Sequence, residues 1–445
     1  MRRALDLGEN AAALAVLDPL AVGGENPGVV ASLRAEALLA LRERDDAASA
    51  ARSAINALGS AAADPVRDAA LARAWRVLAE CDVAALRLDE AAAHVASAAP
   101  WTPATDPASA AMLERVRARV ALWSGDTLGA EVAAESAIRL LEGANLADSW
   151  RMGAALAVRA TVWQRIMDKV NRTPDEFAAA ARILLATRAA DDAEVAETVE
   201  TAVNLLEGRR RFDEAGALAE EWVRAAEQRP GPRRPWAIEL ARCRRAHGLI
   251  REGRFDEAQR VLEGATAAPV ADAPAARVVR SASLAELADV HRRLKNYALA
   301  HDAVDQALAV FAAAPARPVE IEADAFAKTI LGWITIDEGD HLAAEPILET
   351  AADALRRAAG EMNWKTGLAR ALLGETRMRQ GRFDEAEEDM AYGARILITY
   401  RGPDTDAYRA IRLCAEMYEA WGKPDLASFY RERLPFTENS PASPD

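Results

Sequence analysis

Two side chains that often bind metals lie one helical turn apart near the middle of the chain. Cys243 and His247 are four residues apart, so a helix would present both of them on one face. A thiolate and an imidazole are typical zinc ligands, but a zinc site needs at least three ligands from the protein. No third ligand is evident beside this pair, so the sequence predicts no metal and no other cofactor.

The motifs of common catalytic sites are also missing from the sequence. It has no serine in a nucleophile elbow, no H-E-x-x-H zinc helix and no glycine-rich phosphate loop. The stretch from Val290 to Arg293 reads V-H-R-R and lacks the aspartate of a kinase catalytic loop. Adjacent acids such as Glu387 and Glu388 are typical of solvated helix faces. We therefore expect that the protein is not an enzyme.

The composition favours a helical protein of the bacterial cytoplasm. Of 445 residues, 51% are hydrophobic and only 5% aromatic, and Ala, Leu, Glu and Arg are the frequent types, which favours helix over strand. A net charge of −14 argues against nucleic acid as a partner, because neutralising phosphates requires an excess of Lys and Arg. The sequence contains no run of 18 apolar residues, so it predicts no membrane partner. Three distant cysteines indicate a reducing cytoplasm, and the excess of Arg over Lys is typical of a GC-rich bacterial genome.

A short motif recurs along the chain at intervals of about 41 residues, and such self-similarity is the signature of a repeat protein. Residues Gly253 to Ala258 read G-R-F-D-E-A, and the same six letters recur at 381–386. Each copy lies between two stretches of helical character. Further copies, several with substitutions, lie at 87–91, 125–130, 211–215, 295–300, 339–344 and 422–427.

The motif is typical of the turn in a helical hairpin. The glycine at its first position would end the first helix, because glycine adopts a positive φ at little cost. The Asp-Glu pair would begin the second helix, where the helix dipole favours acidic side chains. The small alanine would let the two helices approach closely. The sequence therefore predicts a series of helix–turn–helix units.

These units resemble the tetratricopeptide repeat (TPR). The family's Leu-Gly pair, seven to eight residues before the turn glycine, is present as Leu373-Gly374 and as Leu331-Gly332. The resemblance implies an all-α fold, a right-handed superhelical solenoid of about eleven antiparallel helix pairs. The period of about 41 residues exceeds the 34 of the standard motif and is similar to that of kinesin-light-chain-like repeats. The predicted turns lie at Gly8, near Arg44, at Leu86 and Gly125, near Thr173, and at Arg210, Gly253, Lys295, Gly339, Gly381 and Gly422.

The clarity of the repeats divides the chain into three parts. Residues 1–190 are predicted to hold degenerate TPR-like repeats, 191–434 clearer ones, and 435–445 a disordered tail. Because few residues precede Gly8, the first repeat is predicted to be truncated, and the chain to be the C-terminal portion of a longer protein or to have a misassigned start. The last repeat is similar to the C-terminal repeat arrays of bacterial serine/threonine protein kinases.

The resemblance also implies a binding surface, because the first helices of TPR units line a concave groove. Transferred by their offset from each turn, the family's groove positions fall on Arg73, Arg76, Arg115, Arg119, Asn204, His247, Arg292, Trp333, Arg409 and Arg412, with Glu80, Asp289 and Glu375 among them. The first four arginines are predicted to form a basic strip. Trp333 or His247 would give apolar or stacking contacts. Ordinary solvated surface is the alternative interpretation of the arginines.

We therefore expect a non-catalytic protein-interaction scaffold or regulatory module of bacterial signalling. Its partner would be an extended, acidic protein or peptide segment held in the groove. The alternative is the ligand-sensing helical-repeat module of a large bacterial transcription activator, in which a small molecule would lie between helices.

Overall fold

A computed structural model describes most of the chain, and every residue that it describes belongs to a helix or a connecting turn. No strand occurs among the described residues, and none of the helices that they form is long and apolar enough to cross a membrane. The described residues are 5, 10–23, 26–41, 43–59, 62, 64–103, 105–190, 192–228, 234–267, 274–311, 317–400 and 405–434. The predictions for the turn at Gly8 and for the tail at 435–445 lie outside them.

The described residues form two compact units, Met1–Ile238 and Glu239–Asp445. The first unit contains α1 (Asn10–Gly23), α2 (Pro27–Ala40), α3 (Arg44–Gly59), α4 (Pro65–Ala84), α5 (Leu88–Ala98), α6 (Pro107–Trp123), α7 (Thr127–Gly143), α8 (Trp150–Trp163), α9 (Thr173–Thr187), α10 (Ala193–Gly208) and α11 (Phe212–Gln228). Helix α12 (Arg234–Arg251) begins just before the boundary. The second unit continues with α13 (Phe255–Thr266), α14 (Pro274–Arg293), α15 (Tyr297–Ala309), α16 (Pro318–Asp337), α17 (His341–Ala359), α18 (Trp364–Arg379), α19 (Phe383–Tyr400), α20 (Thr405–Ala420) and α21 (Pro424–Arg431).

The helices pair in chain order. The first unit pairs α2 with α3, α4 with α5, α6 with α7, α8 with α9 and α10 with α11, and the second pairs α14 with α15, α16 with α17, α18 with α19 and α20 with α21. The fold is therefore an all-α solenoid, as predicted. Helix α1 precedes the first pair and packs on α2. The division of the sequence at residue 190 concerned the clarity of the repeats and stays a prediction.

The turns of the hairpins lie where the sequence placed them. Eight of the predicted turn residues have a positive φ, from 58° at Leu86 to 89° at Gly339. After Gly253, the amide of Arg254 donates to the carbonyl of Leu249 at 2.9 Å, which is the closing bond of a Schellman motif. The connection before α9 is different, because residues 164–172 contain a 3-10 turn and no positive φ. The hairpin motif is therefore confirmed at these eight turns.

The small residues of the repeat mark the closest approach of paired helices. Ala258 and Ala386 are completely buried. A Cβ on Gly332 would lie 2.6 Å from the side chain of Leu348, and one on Gly374 would lie 2.8 Å from the backbone nitrogen of Met390. The glycine of the Leu-Gly pair is therefore required by the contact between the two helices.

Gly393 offers the sharpest test of this packing. A Cβ there would lie 2.6 Å from the carbonyl oxygen of Gly367 and 2.7 Å from the backbone nitrogen of Ala371, so α18 and α19 would have to separate. We expect Gly393→Ala to lower the free energy of unfolding by about 1–3 kcal/mol, the usual cost of overpacking. Urea titration followed by far-UV circular dichroism measures this change.

Gly264 is the matched control for that substitution. It is an exposed glycine in the last turn of α13 in the same unit, and a Cβ there would lie no closer than 3.8 Å to the Arg242 guanidinium. Because alanine has the higher helix propensity, Gly264→Ala should raise stability by up to about 1 kcal/mol. Equal urea midpoints for both variants would contradict the close approach of α18 and α19.

Candidate functional site

A cavity of about 410 Å³ lies inside the first unit. Its wall is built mainly by the first helices of successive hairpins, α2, α4, α6, α8 and α10, so it is the concave side of this unit. Three of the predicted groove residues, Arg76, Arg115 and Arg119, line it together with Glu80. The three arginines therefore lie together on the wall of one cavity, and their role in binding a partner stays a prediction.

Glu80 is the centre of the charged lining. Its two carboxylate oxygens accept hydrogen bonds from Arg115 Nη2 at 3.0 and 3.1 Å, from Arg76 Nη1 at 3.2 Å and from Arg119 Nη1 at 3.3 Å. Burial by itself raises the pKa of Glu80, but the three guanidinium groups outweigh it and lower the pKa to about 2. Glu80 is therefore ionised at every physiological pH. We define these four residues as the Glu80 cluster.

Two further carboxylates extend the Glu80 cluster on either side. Glu36 on α2 pairs with Arg76 and, at 3.1 Å, with Arg73 Nε. Burial raises the pKa of Glu36, yet the guanidinium groups of Arg76 and Arg73 lower it to about 2. Glu194 at the start of α10 pairs with Arg115. A chain of alternating charges thus crosses the cavity wall from α2 to α10.

A second network joins α1 to the start of α10. Asn10 Nδ2 donates to Asp192 Oδ2 at 3.0 Å, and Arg188 Nη2 donates to the same oxygen at 2.7 Å. The other oxygen of Asp192 caps α10 by accepting from the amide of Glu194 at 2.9 Å. The Arg188 guanidinium lies 4.5 Å from the centroid of the Trp150 ring, which also lines the cavity. These contacts join helices that are about 180 residues apart in sequence.

These ion pairs correct the prediction of a basic strip. Arg73, Arg76, Arg115 and Arg119 do lie on the adjacent helices α4 and α6, but Glu36, Glu80 and Glu194 neutralise most of their charge. The reason is desolvation: a buried arginine is stable only beside a carboxylate, and the cavity wall excludes water from Arg76 and Arg115. The strip is therefore a network of ion pairs.

In the second unit, the predicted residues Arg292, Trp333 and Arg409 come together in one cluster. Trp333 is 2% exposed, and the guanidinium carbons of Arg292 and Arg409 lie 3.7 and 5.2 Å from its ring centroid. Arg292 is held by Asp289 and Arg409 by Glu375. The expectation that Trp333 offers its ring to a partner is therefore corrected, because long arginine side chains from neighbouring first helices cover it.

The other predicted groove residues lie apart from these two clusters. His247 Nδ1 is 3.2 Å from Glu286 Oε1, and its ring centroid is 6.3 Å from that of Trp364. Asn204 is exposed on α10 and does not line the cavity, and Arg412 is exposed on α20.

The side chains of Cys243 and His247 both lie next to Glu286. The Cys243 thiol lies 3.8 Å from the second oxygen of Glu286, so both side chains contact one carboxylate. In the described part of the chain, no group of three His, Cys, Asp or Glu side chains could hold a metal ion. Burial raises the pKa of all three thiols, to about 12 for Cys81 and Cys414, which keeps these thiols protonated at neutral pH.

Sequence reasoning missed several residues of the cavity wall, namely Asn10, Glu36, Trp150, Arg151, Arg188, Asp192 and Glu194. Glu36 precedes Arg44, near which the turn was predicted, by eight residues, whereas Glu80 and Arg119 precede their turns at Leu86 and Gly125 by six. The rule therefore missed Glu36 because the position of that turn was only approximate. Arg188 and Asp192 lie in the connection between α9 and α10. No repeat position predicts their place, which depends on the tertiary packing of the unit.

Comparison with solved structures supports an all-α, TPR-like helical-repeat fold for the chain. The apo form of the quorum sensor NprR from B. thuringiensis has a TM-score of 0.54 at 10% identity, over 91% of this chain and 96% of that chain. The Rap protein complexed with competence and sporulation factor has a TM-score of 0.49 at 13% identity, over 82% and 97% of the two chains. No protein-family profile matches the chain, and no curated protein is detectably similar to it in sequence.

Proposed function

We propose that the chain is a non-catalytic binding module that recognises a peptide segment of a partner protein in the cavity of its first unit. The observation that carries this proposal is the cavity itself, a concave site of about 410 Å³ lined by both charged and aromatic side chains. Ligand sites typically combine an apolar wall with a few fixed polar groups. NprR, which shares the fold, is a quorum sensor.

The ion pairs of the wall shape this proposal. Because Arg73, Arg76 and Arg115 are already paired, an extended, strongly acidic segment would find few available cations. The cavity has the size of a site for a compact ligand. We therefore propose that only a short part of the partner enters it. The same size favours the second candidate function, a sensor module for a small molecule.

We place this module in signalling in the bacterial cytoplasm, next to a kinase domain in a longer protein. The support for this placement is the resemblance of the last repeat to kinase repeat arrays, together with the three cysteines, none of which forms a disulfide. A non-catalytic role fits the carboxylates of Glu36 and Glu80 in the cavity wall, because arginine side chains already hold both of them in ion pairs.

Filling the cavity tests the proposed function. Thr161 lines it from α8, and its hydroxyl donates to the carbonyl of Ala157 in its own helix, so Thr161→Trp should occupy the ligand's space. The probe is a pool of random decapeptides, half with free and half with amidated C termini, incubated with the protein and separated by gel filtration. We expect the wild-type chain to retain a subset of the pool and Thr161→Trp to retain at most about a tenth of it.

The control places the same side chain outside the cavity. Ser53 is exposed on α3 and makes the same hydrogen bond to the residue four positions earlier, so Ser53→Trp should retain the wild-type subset. The proposed function is wrong if the wild-type chain retains no peptide, or if Thr161→Trp retains the same peptides as Ser53→Trp.

A further inference from the structure

The described residues that line the first unit's cavity carry one more positive than negative charge. They include six arginines, Arg44, Arg76, Arg115, Arg119, Arg151 and Arg188, and five carboxylates, Glu36, Glu80, Asp192, Glu194 and Glu197. A site with low-dielectric walls focuses such a difference. One negative charge on a ligand would therefore neutralise the lining, whereas a ligand with several negative charges would be repelled by the carboxylates.

Arg119 is the arginine best placed to receive that charge. Its side chain is 31% exposed, and among the described residues it makes a single hydrogen bond, from Nη1 to Glu80 at 3.3 Å. The N–H groups of its Nε and Nη2 can therefore donate hydrogen bonds to a ligand. Arg115, by contrast, is 6% exposed and forms hydrogen bonds to both Glu80 and Glu194.

Glu80 also fixes the position of the Arg119 guanidinium. Because Arg115 and Arg76 hold the Glu80 carboxylate from other sides, Glu80 is a rigid acceptor for Arg119. A guanidinium held in this way loses little side-chain entropy when it binds a second acceptor. Arg119 is thus preorganised toward an anion.

The rest of the lining specifies an apolar body next to the anion. Trp123 lies one helical turn beyond Arg119 on α6, and Met112, Leu122, Val158 and Phe177 also line the cavity. An apolar group of a few carbon atoms fits this part of a cavity of about 410 Å³.

We propose that this cavity binds a compact monoanionic ligand, a single carboxylate attached to an apolar group, with Arg119 as the residue that receives the carboxylate. The inference rests on the proposed function, because it names the ligand chemistry of the same cavity. A free organic acid and the C-terminal residue of a peptide share this chemistry.

Paired acid and amide probes test the inference. The small probes are N-acetyl-leucine and N-acetyl-leucinamide, and the peptide probes are acetyl-Gly-Gly-Gly-Leu as free acid and as amide. Calorimetry should show that at least one acid binds about ten-fold or more tightly than its amide, as expected for a hydrogen bond to a charged group. Binding of the small acid identifies a free acid as sufficient. Binding of the peptide acid alone identifies the end of a peptide. Both results support the inference.

Variants of Arg119 assign the interaction. Arg119→Gln should weaken the binding of the acid about ten-fold or more and leave the amide unchanged, and Arg119→Lys should restore part of the loss. Arg117 is two residues away on α6, pairs with Glu114 and does not line the cavity. Arg117→Gln removes the same charge and should leave the binding of both probes unchanged.

Some outcomes overturn the inference alone. Equal affinity for acid and amide, or unchanged binding of the acid by Arg119→Gln, contradicts the monoanion. If the wild-type chain nevertheless retains part of the random peptide pool and Thr161→Trp does not, the proposed function stands without the inference about the monoanion. If the pool is not retained but N-acetyl-leucine binds through Arg119, the ligand class stands and the peptide function fails. No binding of any probe overturns both.

Discussion

Replacing Glu80 by glutamine is expected to destabilise the first unit by about 3–5 kcal/mol, the usual cost of breaking a buried ion pair by removing one partner. The carboxylate accepts hydrogen bonds from Arg76, Arg115 and Arg119, and Glu80, Arg76 and Arg115 are each at least nine-tenths buried. An amide at this position would turn an N–H donor toward guanidinium donors. Among the described residues, Arg76 would keep its ion pair with Glu36, and Arg115 its ion pair with Glu194.

Chemical denaturation followed by circular dichroism measures this loss, and hydrogen exchange of residues 64–123 assigns it to α4 and α6. Glu214→Gln is the matched control. It removes a carboxylate of the same unit that forms two hydrogen bonds to Arg211 on the surface, at 2.6 and 2.7 Å. Exposed ion pairs contribute only about 0–1 kcal/mol. Equal stability of the two variants would contradict the burial of the Glu80 cluster. Water and salt would then screen its charges as they screen those of a surface ion pair.

The first unit should also lose stability in acid, in a pH window that the two buried glutamates define. The pKa values of Glu36 and Glu80 fall from an ordinary 4.5 to about 2 in the folded chain. Between these values the unfolded chain binds more protons than the folded chain, so the free energy of unfolding decreases as the pH falls. Above pH 5 the contribution is complete. Each group accounts for about 3 kcal/mol, most of which is lost by pH 2.

Urea denaturation at pH 7, 5, 4, 3 and 2, with hydrogen exchange of residues 64–123 as the local probe, follows this loss. The comparison that isolates the effect is Glu80→Gln, which removes one of the two titrating groups. Its stability should depend on pH less steeply than that of the wild-type chain between pH 5 and 2. Identical slopes would mean that Glu80 titrates with the same pKa in the folded and unfolded states.

The amino-acid sequence determined the fold of this protein through local rules. The turn residues Gly253, Gly339 and Gly381 adopt the positive φ that the motif predicts, and Leu86, Arg210 and Lys295 do so at the equivalent positions. These features depend on residues a few positions apart, because helix caps and hairpin contacts are local. A repeating motif therefore reveals the repeating structure, and the offset from each turn also identifies Arg76, Arg115 and Arg119 as cavity residues.

The tertiary structure alone decided what these arginines can do. Their charge is paired with Glu36 and Glu194, which lie about 40 and 80 residues away from Arg76 and Arg115 in sequence. Asn10 and Asp192 meet across almost the whole first unit. The energy of a buried charge depends on which counter-charges and how much water surround it. Only the packing of the helices brings those groups together. The sequence therefore located three arginines of the cavity wall, and the packing decided that most of their charge is already paired.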